Sequence, residues 1–348
     1  MTGPITLLFN FGKILALVPS YNYPVTFTQK LYTLIFVTFN FVATVMLSID
    51  RNGYKLYYAK AVVFFLTDVN LLIFVCYSRV SLVLWNKKKW EILINNLYIM
   101  ISSMENRKVI RYAKICILKL FVEIVVLFAI YMFWFGYFGP HFITQYNIHY
   151  FNYYLLYSYN TFVSFILYTI LVQYKYVSAF LDQPGCSTLI QKIEQNLYFL
   201  KDTTNAVNDT FEWPTTMVIS YTVLYILNNL DYIFINSSIQ NDNQLKEKIL
   251  ADFALVLLTV IGTFLVVLWS DLISKEAEDL LDKSYILQRS CKNLAEKERF
   301  QELSKTIKHN FPRFSAARFF SVNRATILSI LGTVTTFFIV LIQLRDYE

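Results

Sequence analysis

The sequence predicts an all-α, polytopic membrane protein. It has seven transmembrane helices, a cytoplasmic amino terminus, an extracellular carboxyl terminus and a cytoplasmic helical anchor region before the last span. Of 348 residues, 56% are hydrophobic and 16% charged, against about 25% charged in a soluble domain; mean hydropathy is +0.44. Apolar stretches fall near residues 31–49, 59–80, 113–138, 151–178, 213–236, 248–272 and 325–344, and a span needs about 20 such residues. Lysine and arginine crowd alternate connections, which orients the chain.

The opening residues carry a short apolar run interrupted by Lys13. With no basic leader and no small-residue cleavage site they predict an interfacial amphipathic helix ending at Pro19, not a cleaved signal peptide. The connection after the second span holds Arg79, Lys87, Lys88, Lys89, Arg107, Lys108 and Arg111. The stretch between the sixth and seventh spans carries eleven Lys or Arg from Lys275 to Arg324, whereas Pro140 to Tyr150 has neither. The basic side is the cytoplasm. This orientation is opposite to that of a G-protein-coupled receptor. The sequon Asn236-Ser237-Ser238 falls on the predicted outside, which makes Asn236 a glycosylation candidate; Asn208-Asp209-Thr210 falls inside and stays unmodified.

The net charge of +7 reads as topology, not as a nucleic-acid surface. Cys76, Cys116, Cys186 and Cys291 lie outside any extracellular segment, so no disulfide is expected. Cysteines and the three histidines show no metal-ligand spacing. Aromatic residues at 18% suit interfacial belts and aromatic-lined cavities.

Between Asp271 and Asn310, Leu280, Tyr285, Ile286, Leu294, Phe300, Leu303 and Ile307 recur at helical spacing among charges. The sixth helix is expected to run on beyond the membrane, with a break at Ser290 to Asn293 and a stop at Asn310-Phe311-Pro312. Trp85 to Ile110 and Leu189 to Val207 are also amphipathic. Apolar faces at this spacing need a partner, so these helices should pack together. The chain divides into 1–272, the amino-terminal helix and six-helix transmembrane bundle; 273–312, the helical anchor; and 313–348, the last span and its approach.

That last span, Ala325 to Leu344, carries Thr333, Thr336 and Gln343. Polar groups within a membrane helix face protein or water. Two readings fit: a helix lining an aqueous path, and ordinary interhelical contacts, with threonine bonding its own backbone.

The end of the chain resembles the insect gustatory receptor family. Thr336-Phe337, five apolar residues and Gln343-Leu344 follow that family's final-helix signature, with Phe337 for tyrosine and Leu344 for phenylalanine. Phe314-Ser315-Ala316-Ala317-Arg318-Phe319-Phe320-Ser321-Val322-Asn323-Arg324 and Leu328 to Thr335 extend the similarity to about thirty residues, with Arg318 where relatives more often carry glycine or a small residue. The resemblance implies a ligand-gated, poorly selective cation channel in the plasma membrane of a chemosensory neuron. It implies a homo- or hetero-tetramer with other gustatory receptor subunits, surrounded by membrane lipid and opened by a small-molecule tastant, with no cofactor and no nucleic-acid partner. Gln343 and Leu344 would form the outer constriction, with Val340 and Thr336 below. The first 272 residues would hold the ligand.

For that ligand the outer halves of the helices offer Asp68, Asn70, Trp134, Tyr137, Tyr157, Asn160, Asn228 and Asp231, together with Tyr131, Tyr154, Tyr225 and Asn229. A carboxylate among Phe64, Phe65, Leu66 and Leu71 needs a cavity or a partner, so Asp68 is either ligand-facing or bonded to a neighbouring helix. His141 and His149 are expected as exposed loop side chains. An odorant-receptor-type channel shares this topology and is the alternative. A secondary transporter is disfavoured by the odd span count without an evident repeat. No HExxH or GxSxG marks an enzyme.

Overall fold

A computed structural model describes residues 3–18, 26–51, 58–103, 107–183, 186–237 and 243–345. In chain order the helices are α1 (Gly3–Ile14), α2 (Phe27–Arg51), α3 (Tyr58–Val80), α4 (Lys87–Ser103), α5 (Arg107–Phe138), α6 (Pro140–Leu181), α7 (Ile190–Ser237), α8 (Asn243–Ser290), α9 (Leu294–His309) and α10 (Arg324–Arg345). A short antiparallel pair, β1 (Ser315–Ala316) and β2 (Phe320–Ser321), precedes α10. All seven predicted spans fall on helices. Five described stretches are long and apolar enough to cross a membrane: Phe27–Met46, Ala61–Trp85, Arg107–Phe138, Gln145–Leu181 and Glu247–Ser290. In α10 the described apolar part is the shorter Arg324–Val340, and α7 is diluted by Thr215, Thr216, Asn228 and Asn229.

Burial separates two kinds of apolar helix. In α5, Val109, Ala113, Cys116, Leu120, Glu123, Leu127, Ile130 and Trp134 are buried at spacings of three and four. Leu118, Phe121, Val125 and Phe128 on the other faces are exposed. One stripe therefore packs on protein, and the rest suits lipid. By contrast α6 is buried over most of its length and touches α1, α2, α3, α4, α5, α7 and α8. It is the central helix, which is why it can carry Asn152, Ser158, Asn160, Thr161, Ser164, Thr169 and Gln173, all buried: polar side chains in a membrane helix are tolerated where they face protein.

Several boundaries differ from expectation. α1 ends at Ile14, not Pro19, and turns through Ala16 at φ 54. Ile5, Leu8 and Phe9 bury it against α5 and α6 instead of leaving it at an interface. The Trp85–Ile110 stretch is split: a π-helical turn over Ser81–Trp85 leads into α4, and residues 107–110 already belong to α5. The Leu189–Val207 stretch is no separate helix but the first half of α7, continuous through Pro214. α6 begins at Pro140, so the expected loop is helical; Gly139, at φ 67, makes the reversal out of α5 that a side chain would strain.

The packed helical region is present as expected. Trp90, Leu93, Leu97 and Met100 of α4 are fully buried, α4 packs on α7, and Asn96 Nδ2 donates to Thr203 Oγ1 at 3.0 Å. α8 ends at Ser290, and α9 starts after Asn293, whose side chain accepts from the Ala295 amide at 3.0 Å. α9 folds back on α8 through Phe300, Leu303 and Ile307, with Ser284 and Ser304 hydroxyls 2.8 Å apart. Asn208 of α7 uses both ends of its amide, donating to the Arg313 carbonyl and accepting from the Ser315 amide, so that sequon is engaged in holding the β1–β2 hairpin. Both central residues of the hairpin turn, Ala317 and Arg318, have positive φ, 47 and 61. A left-handed residue is cheapest as glycine, so Arg318 holds this turn at a cost.

Candidate functional site

Three of the residues singled out for ligand contact, Asp68, Tyr157 and Asn160, lie along one seam built on α6. His149, Tyr153, Tyr157 and Asn160 recur at spacings of four, four and three, which puts them on one helical face. From His149 to Asn160 the seam runs about 16 Å at helical rise. At the end predicted to lie outside, His149 Nδ1 stands 3.7 Å from Asp68 Oδ1 of α3, and the His149 ring meets Tyr153 edge-on at 4.5 Å. Tyr153 in turn contacts Tyr221 and Tyr225 of α7, whose rings stack on each other at 5.4 Å. Tyr157 Oη lies 3.0 Å from Thr259 Oγ1 of α8 and donates to the Leu255 carbonyl at 3.3 Å. One turn on, the Thr263 hydroxyl lies within 3.1 Å of the Thr259 backbone carbonyl and 2.7 Å from the Thr222 hydroxyl on α7.

At the inner end Asn160 is fully buried against Gly262 of α8. A β-carbon there would come within 2.9 Å of Asn160 Nδ2. Neither amide atom of Asn160 has a hydrogen-bond partner. Buried polar groups are normally paired, and one left bare costs about 1–3 kcal/mol. Aromatic rings, phenol hydroxyls and one unmet amide thus line a buried seam between α3, α6, α7 and α8.

Asp68, Tyr157 and Asn160 are thus brought together along this seam. Trp134 and Tyr137 join it less directly. Trp134 stacks on Phe138 at 5.5 Å, Phe138 on Phe142, and Phe142 meets Tyr150, the neighbour of Tyr153; Tyr137 lies under Lys248 Nζ at 3.5 Å. Asn70 is half-buried with an unpartnered Oδ1, and Asn228 is half-buried on α7. The side chains of Asp231, Asn236 and Leu344 lie outside the described residues. His149 corrects the loop expectation: it is helical and 7% exposed, and it supplies the neighbour that Asp68 needed. His141 is exposed as expected. Reading by residue missed Tyr153, Tyr221 and Thr259. The i, i+4 tyrosine pairs 153/157 and 221/225 were the available signal, obscured by 26 tyrosines in the chain.

A second feature is α10. Among its described side chains Thr326, Ile330 and Val334 are buried and Ile327, Phe338 and Ile342 half-buried, packed on α7, α8 and α3. Thr333, Thr336, Val340 and Gln343, spaced three, four and three, share a face that this chain leaves uncovered. The Thr336 hydroxyl donates to the Gly332 carbonyl at 2.9 Å, so it keeps its proton within the helix and turns its oxygen outward.

The family model for the 7tm chemosensory receptor matches residues 5–348, and the chain belongs to that family. Among solved structures, the insect olfactory receptor OR5 from Machilis hrabei is 14% identical, with a TM-score of 0.66 over 98% of this chain and 97% of that one. The same receptor in complex with eugenol is also 14% identical, with a TM-score of 0.69 over 97% and 98%. At that identity the likeness is one of fold. A comparison with curated proteins found no match.

Proposed function

We propose that this chain is a gustatory-type chemosensory receptor, a ligand-gated, poorly selective cation channel opened by a small-molecule tastant. It works in the plasma membrane of a chemosensory neuron, with its amino terminus inside and carboxyl terminus outside. The observation that carries the reading is α10: a membrane-length helix packed along one stripe, with Thr333, Thr336, Val340 and Gln343 aligned on an uncovered face. Four copies placing that face on a common axis form a narrow polar path. Residues 273–312 anchor the copies, and Leu344 rings the outer mouth. Apolar rings exclude hydrated ions until the path widens, and the Gln343 amides then offer dipoles that stabilise cations without fixing them. The seam from Asp68 to Asn160 takes the tastant. It opens the channel to the extent that it binds the open arrangement more tightly.

The odorant-type reading is the second one, favoured by the fold shared with an olfactory receptor. A ligand screen by whole-cell recording in cells expressing this chain, with G-protein signalling blocked, tests the channel. Millisecond currents that Gln343→Arg suppresses at unchanged surface expression are expected. Currents untouched by that substitution, in amplitude and selectivity, remove α10 from the pore. Volatile odorants as the active class, in place of tastants, decide for the odorant type.

A further inference from the structure

Asp271 of α8 does two things at once for the first residue of α10. Its Oδ2 lies 2.6 Å from Arg324 Nε, and its Oδ1 accepts from the Arg324 backbone amide at 3.3 Å. A helix start carries unpaired amides and a partial positive charge, so a carboxylate there is favoured twice over, by hydrogen bond and by dipole. The other amides of that turn are met locally. Asn323 Oδ1 accepts from Ala325, and the Asn323 carbonyl accepts from Thr326, whose hydroxyl in turn donates to Ser321. Asp271 is thus the contact that ties this capped turn to another helix.

Its position gives the tie leverage. Residues 253–270 of α8 carry no charge, and Asp271 closes that run. The same helix contributes Leu255 and Thr259 to the ligand seam about three turns or more above. Beside the pair lies a cavity of about 560 Å³ bordered by Lys275, Glu278, Arg313 and Asn323. Arg324 is 60% exposed there, so the foot of α10 has room to move once released.

We propose that Asp271 is a positioning residue: through Arg324 it latches the foot of α10 to the ligand-bearing helix and holds the resting arrangement. This rests on the pore reading of α10. The test uses the full chain with Asp271→Asn, Arg324→Gln and the exchange Asp271→Arg/Arg324→Asp. Ligand-free whole-cell current is normalised to surface expression, and hydrogen exchange is measured on the purified chain in lipid nanodiscs. Each single substitution should raise ligand-free current about two- to tenfold, the range of one exposed ion pair and one helix-terminal charge. It should also speed exchange of the amides of residues 324–328 while leaving α9 unchanged. The exchanged pair should fall back toward the unmodified chain. Unaltered exchange at the foot of α10 overturns the latch, as does an exchanged pair that leaks as much as the singles. Faster exchange with flat or reduced current overturns its role in gating. Adding Gln343→Arg on each background separates the two proposals. Extra current that survives it counts against the pore assignment, whereas unaltered exchange at residues 324–328 counts against the latch alone.

Discussion

Asn160 is fully buried with neither of its amide atoms hydrogen-bonded. A side chain kept for stability would not be left so, since replacing an unpaired buried amide by an apolar group of similar shape is neutral or stabilising. Asn160→Leu should therefore leave thermal stability unchanged or raise it by up to about 1 kcal/mol, while a hydrogen-bonding tastant loses about tenfold in potency. Loss of stability together with unchanged potency would return Asn160 to the scaffold. Arg318 is the opposite case, a residue whose backbone is disfavoured at φ 61 and whose exposed side chain gains only a 3.9 Å contact to Glu212. Arg318→Gly should stabilise the chain by about 1 kcal/mol, read as a higher melting temperature in detergent. A lower one would mean that the Glu212 contact outweighs the strain.

Between elements, a lysine of α5, itself paired with a glutamate one turn on, reaches across to α6 inside the apolar region. Lys119 Nζ lies 3.3 Å from Glu123 Oε1 and donates to Thr161 Oγ1 at 2.8 Å, with Glu123 only 2% exposed. Removing one partner strands the other, a penalty of about 3–5 kcal/mol, whereas removing both is far milder. Lys119→Met is expected to abolish surface delivery, and Lys119→Met/Glu123→Gln to restore most of it, measured by surface labelling. Equal loss in the single and double variants would show that the lysine acts by packing alone. On α10 the packed stripe and the polar face predict different failures. A charge at Val334, 7% exposed, should cost folding and surface expression, because a buried unpaired charge is expensive. A charge at Gln343 should cost conduction alone. Loss of expression from both would erase the distinction between the faces.

For the whole molecule, the proposed pore needs other copies around α10. The purified receptor should therefore have a native mass of four 41.0 kDa chains by light scattering, corrected for detergent. A single-chain mass under conditions that preserve ligand response would leave the pore without walls. Much of this architecture was legible before any coordinates. The spans, the helical extension of α8, its break near Ser290 and the stop at Asn310 follow from hydropathy, period and capping residues, which are local properties. Less legible were the start of α6 and the fate of α1. Residues 140–150 look like a loop because polar and aromatic side chains interrupt the apolar run, and only packing against α5 shows that they continue a helix.

The amino-acid sequence by itself determined the class of protein, its membrane spans and the polar face of α10, because bilayer thickness and helical period act on each segment alone. Tertiary structure decided which polar residues share a site. Asp68 meets His149 across 81 positions of chain, Tyr157 meets Thr259 across 102, and Asp271 reaches the foot of α10 across 53. Such pairings depend on how helices far apart in the chain are set against one another, and no local pattern encodes that.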